Sequence, residues 1–306
     1  MHRLAASPRV RKSARSLLAV ALAVALVVAL GGCGGSSSRG ADRFDVPQRL
    51  AGAGTKTGFT VPASAQARPA PIVHLPPHWS TGRRLPLVIA LHPSGGDPVR
   101  FELTSGWDRV ADEHGLIVAY LGSASPAWKD PANVAYIGAQ IRRLTARYDA
   151  DPRRIYVTGF SAGAYITYFV GCRLSATVAA IAAVSGAMAP QRCKPPRPVS
   201  ELTIIGTRDI VPLTGTARFP GPAAVASRWR SIDRCPATAP RVSIADPVTE
   251  RTWAPCAHGT AVGFYLIKGG HHAYPGSPAL PSGNPDARFN ASEAVWAFFA
   301  AHRSRG

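Results

Sequence analysis

Short unbroken apolar runs alternate along this chain with longer stretches in which apolar residues return every three or four positions. Leu87-Val88-Ile89-Ala90-Leu91 is a run of the kind expected of a strand buried on both faces. The pattern then predicts a helix from Phe101 to His114 and a strand over Leu116-Ile117-Val118-Ala119-Tyr120. Val134 to Tyr148 has apolar residues at 134, 137, 141 and 144, which is helical spacing. A strand over Arg154-Ile155-Tyr156-Val157-Thr158 and a helix from Ala162 to Cys172 come next, followed by strands at Val178 to Val184 and Leu202 to Ile205. Residues 241–254 read as a small hairpin insertion and Val262 to Ile267 as the last central strand. A final helix begins near Asn290, where Asn290-Ala291-Ser292-Glu293 resembles a capping box, and buries Val295, Trp296, Phe298 and Phe299. Strand and helix in this order predict an α/β fold: one domain with a mostly parallel central sheet covered by helices on both faces.

The front of the chain has a different pattern. A basic segment ending at Arg15 leads into the apolar run Leu17 to Leu30 and then Gly31-Gly32-Cys33. That run is short for a bilayer span and fits the core of a signal peptide. Leu30-Gly31-Gly32-Cys33 resembles a bacterial lipobox, whose cysteine is acylated and becomes the new N-terminus; a transmembrane anchor or a signal without lipidation is the alternative. The division expected is therefore a lipoprotein signal peptide over 1–32, a flexible tether and irregular lead-in over 33–70, rich in Gly, Ala, Pro, Ser and Thr, and the α/β domain over 71–306. The expected location is the outer face of the cell membrane, held by lipid on Cys33, with shedding to the medium as a further route.

Composition changes this picture little. Of 306 residues, 46% are hydrophobic and 17% charged, the balance of a globular protein. The formal net charge of +18 falls to about +13 once residues 1–32, which carry basic side chains and no acid, are removed. The remaining excess lies in pairs such as Arg83-Arg84, Arg142-Arg143 and Arg153-Arg154 rather than in a dense stripe with interleaved aromatics, so no nucleic-acid partner is expected. Beyond Cys33 the cysteines are Cys172, Cys193, Cys235 and Cys256, an even number in a chain expected to be exported. Four cysteines allow three connectivities, of which nearest-neighbour pairing closes the shortest loops. No pair has the tight spacing of a structural zinc site, and neither metal nor cofactor is expected.

The chemistry concentrates at Gly159-Phe160-Ser161-Ala162-Gly163, between a predicted strand and a predicted helix. A serine on so sharp a turn stands above the sheet as a nucleophile, and the backbone there admits only small neighbours two residues away, here Gly159 and Gly163. The helix that follows aims its free amides and positive dipole end at a developing oxyanion, with Ala162 as one donor. In the fold that uses this turn the acid and then the base follow on loops after later strands. Asp209 suits the acid, falling just past Ile204-Ile205, whereas Asp233 and Asp246 have no such strand in front of them. The base lies in Gly269-Gly270-His271-His272, where local physics does not separate the two histidines. The second oxyanion donor belongs on the loop His92-Pro93-Ser94-Gly95-Gly96; proline has no amide hydrogen, so Ser94 is the candidate.

With these residues the chain resembles the secreted polyhydroxybutyrate depolymerase and feruloyl esterase group of the α/β-hydrolase fold, particularly its actinobacterial lipoprotein members. The resemblance runs from about Leu85 to the C-terminus and rests on Ser105-Gly106-Trp107, Ala111-Asp112, Asp151 to Gly159 leading into the elbow, Gly206-Thr207-x-Asp209, Ala291-Ser292-Glu293 and Trp296-x-Phe298-Phe299. The group's base motif, Gly-Gly-Gly-His-x-Trp-Pro-Gly, implies His272 as base and puts Tyr274 at the tryptophan position. It also implies the pairs Cys172 with Cys193 and Cys235 with Cys256. The chain departs from the group at Pro93, at Ala132-Asn133, at Ala164 and at His271. The activity implied is carboxylic ester hydrolysis through an acyl-enzyme, on hydroxyalkanoate oligomers or short acyl esters. Feruloyl or acetylxylan esters are the alternative substrates, and a catalytically silent surface binding protein on the same scaffold is the alternative from another class.

Overall fold

The computed structural model describes residues 55–58, 68–123, 128, 132–186, 193–209 and 222–304. The expected signal peptide, Cys33 and most of the expected tether lie outside these residues. No helix among the described residues is long and apolar enough to cross a membrane.

The strands are β1 (Thr55–Gly58), β2 (Ile72–Leu75), β3 (Leu87–Leu91), β4 (Ile117–Leu121), β5 (Ile155–Phe160), β6 (Ala180–Val184), β7 (Ser200–Gly206), β8 (Arg241–Ala245), β9 (Val248–Trp253) and β10 (Val262–Ile267). The helices are α1 (Pro98–Ser105), α2 (Trp107–His114), α3 (Ala132–Tyr148), α4 (Ala162–Arg173), α5 (Pro222–Ile232) and α6 (Ala291–Ala300). All ten strands form one sheet in the order β1-β2-β4-β3-β5-β6-β7-β10-β9-β8. From β4 to β10 the neighbours are parallel, and the strands outside them, β2 with β1 and β9 with β8, run antiparallel.

The unbroken apolar runs have a simple cause. Leu87, Ile89 and Leu91 face the core under α3, α4 and α5, while Val88 and Ala90 face the core under α1, α2 and α6. With helices on both faces, every position of such a strand is buried, and the polar alternation of a one-sided sheet disappears. Because β4, β3, β5, β6, β7 and β10 are parallel, the loops that leave them all emerge at one edge of the sheet, and those loops carry every candidate for chemistry.

Four expectations change. The single helix over Phe101 to His114 is two, α1 and α2, because Gly106 takes the left-handed conformation at φ 72° and turns the chain between them. The lead-in over 33–70 contains a strand, β1, which pairs with β2 at the sheet margin. The hairpin over 241–254 forms as β8 and β9 but extends the main sheet: β9 pairs with β10 in register from Val262 opposite Trp253 to Ile267 opposite Val248. The capping box is half formed. Asn290 Oδ1 accepts from the Glu293 amide at 3.0 Å, but the Glu293 carboxylate turns outward to Arg109 at 2.8 Å and His114 at 3.1 Å. Both disulfides pair nearest neighbours: Cys172 with Cys193 and Cys235 with Cys256.

Candidate active site

Ser161 stands between β5 and α4 at φ 54° and ψ −112°, a backbone conformation that non-glycine residues rarely adopt. The turn is held on both sides. The Ser161 amide donates to Val184 O at 3.0 Å on β6, and the Ser161 carbonyl accepts the first helical bond of α4, from Tyr165, at 3.0 Å. The glycines two residues away are demanded by contact. A Cβ on Gly159 would lie 2.3 Å from the Gly163 carbonyl carbon, and one on Gly163 would lie 2.1 Å from Leu91 O. The second of these clashes matters for chemistry, since it is the bare Gly163 that lets the loop after β3 lie against the elbow.

His272, on the loop after β10, brings its ring between the other two candidates. Its Nε2 is 2.9 Å from Ser161 Oγ, and its Nδ1 is 3.0 and 3.1 Å from the two Asp209 oxygens. Asp209 is fully buried and His272 partly so. His271 is exposed and gives its backbone amide to Asp286 Oδ2 at 2.8 Å, so it is the ring of His272 that reaches the serine. The loops bearing acid and base are locked together. A Cβ on Gly206 would lie 2.3 Å from the Gly270 carbonyl carbon, the Arg208 amide donates to Gly270 O at 2.8 Å, and the Thr207 amide donates to Ile267 O at 2.9 Å. Asp233 and Asp246 lie elsewhere: Asp233 is buried and accepts from the Val199 amide, and Asp246 pairs with Arg288 at the surface.

The oxyanion candidates flank this array. Ala162 is the first residue of α4, where amides have no partner inside the helix. Ser94 lies on an exposed turn whose preceding residue, Pro93, is fixed through its carbonyl, which accepts from the Gly96 amide at 3.1 Å and from His92 Nδ1 at 2.8 Å. His92 itself is buried. Its Nε2 accepts from the Ser123 amide at 3.2 Å, and its carbonyl accepts from Trp128 Nε1 at 2.8 Å. These contacts define the neutral tautomer with hydrogen on Nδ1, and burial lowers the pKa of the ring.

Several supporting residues were given no role by the sequence. Phe160 stacks on the His272 ring at 5.3 Å and meets the Tyr274 ring edge-on at 5.7 Å. The Tyr274 hydroxyl belongs to a buried relay whose direction is fixed at both ends. Trp107 Nε1 donates to it at 3.1 Å, it lies 2.7 Å from Ser292 Oγ, and Ser292 Oγ donates to Ser105 O at 2.7 Å, so the tyrosine must donate to the serine. Asp286 is buried beneath the base loop, accepts from the His271 amide, and has its carboxyl pKa raised by that burial. Ser105-Gly106-Trp107 and Ala291-Ser292-Glu293 were marked in the sequence only as motifs of the resembled group, and their meeting is a finding of the structure. Of the departures, Ala164 is buried against Gly186, and Asn133 accepts from Arg68 at 2.7 Å.

Among the described residues one group, Glu113, His114 and Glu293, has ligand atoms within 4.8 Å of one another. Arg109 sits in it, 2.7 Å from Glu113 and 2.8 Å from Glu293, which makes it a surface ion-pair cluster on α2 and α6.

No family model matches the chain. It is similar to feruloyl esterase B of Piromyces equi, 29% identical over 231 residues, which is 66% of this chain and 42% of that protein. It is similar also to poly(3-hydroxyalkanoate) depolymerase C of Paucimonas lemoignei, 29% identical over 122 residues, 35% of this chain and 29% of that one. The chain thus spans less than half the length of these curated relatives. Among solved structures, the acetyl xylan esterase from Aspergillus awamori superposes with a TM-score of 0.55 at 14% identity, over 76% of this chain and 94% of the other. A feruloyl esterase module from Clostridium thermocellum gives 0.53 at 12% identity, over 82% and 88%. The fold is that of the α/β-hydrolase esterases.

Proposed function

We propose that this chain is a serine carboxylic ester hydrolase working through an acyl-enzyme. The observation that carries the proposal is the single imidazole, His272, bridging the Ser161 hydroxyl and the buried Asp209 carboxylate. In this reading His272 removes the serine proton as Ser161 Oγ bonds to the ester carbonyl carbon. The carbonyl oxygen becomes an oxyanion held by the Ala162 and Ser94 amides, and collapse expels the alcohol with the proton His272 had taken. Water then attacks the acyl-enzyme through the same base, releasing the acid. Asp209 keeps the imidazole in the tautomer with hydrogen on Nδ1 and stabilises its cationic form. Each step is a proton transfer or an acyl transfer, for which these side chains suffice.

The substrate reading is hydroxyalkanoate oligomers or short acyl esters, supported by the motifs shared with the depolymerase group and by similarity to the Paucimonas lemoignei depolymerase. Feruloyl or acetylxylan esters are a second reading, favoured by the longer match to the Piromyces equi feruloyl esterase. Incubation with a fluorophosphonate probe should label Ser161, and an unlabelled protein would mean a silent binding scaffold. Hydroxybutyrate trimer, 4-nitrophenyl butyrate, methyl ferulate and acetylated xylan, assayed side by side, separate the substrate classes by kcat/KM.

Export and lipid anchoring through Cys33 belong to the same proposal, supported by the Leu30-Gly31-Gly32-Cys33 segment and by two disulfides, which suit an oxidising compartment. Cys33→Ala should shift the protein from the membrane fraction to the soluble one.

A further inference from the structure

At the edge of the sheet opposite Ser161, the residues leading into β5, β6, β7 and β10 and the segment after α6 enclose a cavity of about 670 Å³. Among the described residues its walls bear Arg153, Arg197, His258, His302 and Arg303 and no carboxylate. The volume lies in the range of small-molecule sites.

The walls are built rather than accidental. Arg197 acts as a strut, with Nε donating to Ser175 O at 2.6 Å and Nη2 to Ser304 Oγ at 2.6 Å. The segment it holds is also tied by the Ser304 amide to Arg153 O at 2.8 Å, by the Tyr156 hydroxyl to His302 O at 2.8 Å, and by His302 Nδ1 to Phe298 O at 2.6 Å. Because Nδ1 is the donor there, the neutral His302 ring presents Nε2 as an acceptor, and burial lowers its pKa, so the arginines carry the positive charge of the wall. Arg303 and His258 form no side-chain hydrogen bond or salt bridge among the described residues, and Arg153 engages only Nε, with Ser304 O at 3.3 Å. The carboxylate that feels Arg303, Asp151, lies outside the wall and is bound to Arg154 at 2.7 Å.

Arginines converging on one cavity with no carboxylate in its described wall repel each other, and an oxyanion placed among them reverses the sign of the interaction. A guanidinium fork matches the oxygen spacing of carboxylate and of phosphate. A lone carboxylate would offset one of the cations, whereas a phosphate carries up to two charges and three oxygens for the arginines to share. We propose that this cavity binds a phosphate-bearing ligand, at a site separate from the ester-cleaving one. The phosphoryl group could belong to a soluble monoester or to the headgroup of an anionic lipid, and the two sources call for the same wall.

The test uses the full chain and inorganic phosphate, with sodium chloride of equal ionic strength as the control. Calorimetry should give saturable binding of phosphate, and thermal unfolding should move upward with phosphate more than with chloride. In R153Q/R303Q, both surface positions, the phosphate Kd should weaken about tenfold or more, while ester turnover stays at the wild-type level. His258→Asn is a second variant, expected to weaken binding without touching the struts. Glycerol 1-phosphate binding without retention on phosphatidylglycerol vesicles assigns a soluble ligand, and arginine-dependent sedimentation with those vesicles assigns a lipid headgroup. A phosphate response no larger than that of chloride, or equal binding by wild type and both variants, overturns the proposal.

Discussion

Ser161 keeps its left-handed backbone because neighbours on three sides leave no alternative: β6 takes its amide, α4 takes its carbonyl, and Gly159 and Gly163 are pressed against each other. Strain of this kind costs about 1–3 kcal/mol and is held by the surrounding fold. Replacing the serine with alanine leaves the Cβ and the backbone as they are, so Ser161→Ala should fold normally and lose about 10⁴-fold or more in kcat. Turnover near the wild-type rate would remove Ser161 from the mechanism. Tyr274 poses a subtler case. Its hydroxyl accepts from Trp107 and donates to Ser292 in a buried relay, two residues from His272. Tyr274→Phe leaves the Trp107 donor without its acceptor, at a cost of about 1–3 kcal/mol. Because the ring also backs Phe160 against His272, kcat should fall while KM changes little. A variant equal to wild type in both urea midpoint and kcat would make the relay incidental.

At the scale of elements, β7 and α4 are joined by a buried polar chain. Glu201 Oε1 is 2.5 Å from Thr203 Oγ1, which is 2.8 Å from the Tyr168 hydroxyl, which donates to Gly186 O at 3.1 Å. Thr203 is the donor to the Glu201 carboxyl. Burial pushes Glu201 up to about 8, with the hydrogen bond donated by Thr203 opposing and buried Asp233 adding to the rise. The sign of the pH effect follows from this. Below the ordinary value of 4.5 both folded and unfolded chains hold the proton and nothing is lost. As the pH climbs from there to about 8 the unfolded chain ionises while the folded one does not, and stability declines. Glu201→Gln keeps an acceptor for Thr203 and abolishes the ionisation. Its urea midpoint should exceed that of wild type at pH 8 and converge with it near pH 4; parallel profiles would refute the buried neutral acid.

Across the whole molecule, the parallel strands gather the loops after β3, β5, β7 and β10 at one edge, and the disulfides fasten segments at the other, where the strands begin. Cys172–Cys193 ties the end of α4 to the approach to β7, and Cys235–Cys256 ties the segment after α5 to the turn before β10. Each bond joins residues 21 apart. Cross-links over loops of this length contribute about 3 kcal/mol, mostly by restricting the unfolded chain. The double variant Cys235→Ser/Cys256→Ser should therefore unfold at lower urea by about that amount, with kcat preserved below its melting temperature. An unchanged midpoint would mean that the bond constrains nothing.

The sequence by itself settled what depends on near neighbours. The apolar runs disclosed a sheet buried on both faces, because burial leaves its mark at each position of a strand. The glycines around Ser161 disclosed the elbow, because a tight turn excludes Cβ atoms within a few residues. Gly106 was equally visible, but its left-handed turn between α1 and α2 was not, since an amphipathic pattern continues across it. The sheet order, which puts β9 and β8 outside β10, depends on pairing between distant segments and leaves no local trace. The residues alone did not divide His271 from His272, and the motif of the resembled group implied His272; it is packing, with Gly206 against Gly270 and Asp286 holding the His271 amide, that turns one ring toward Ser161 and leaves the other exposed. The basic cavity at the opposite edge is assembled from single residues of many segments, and only tertiary structure could bring them to one place.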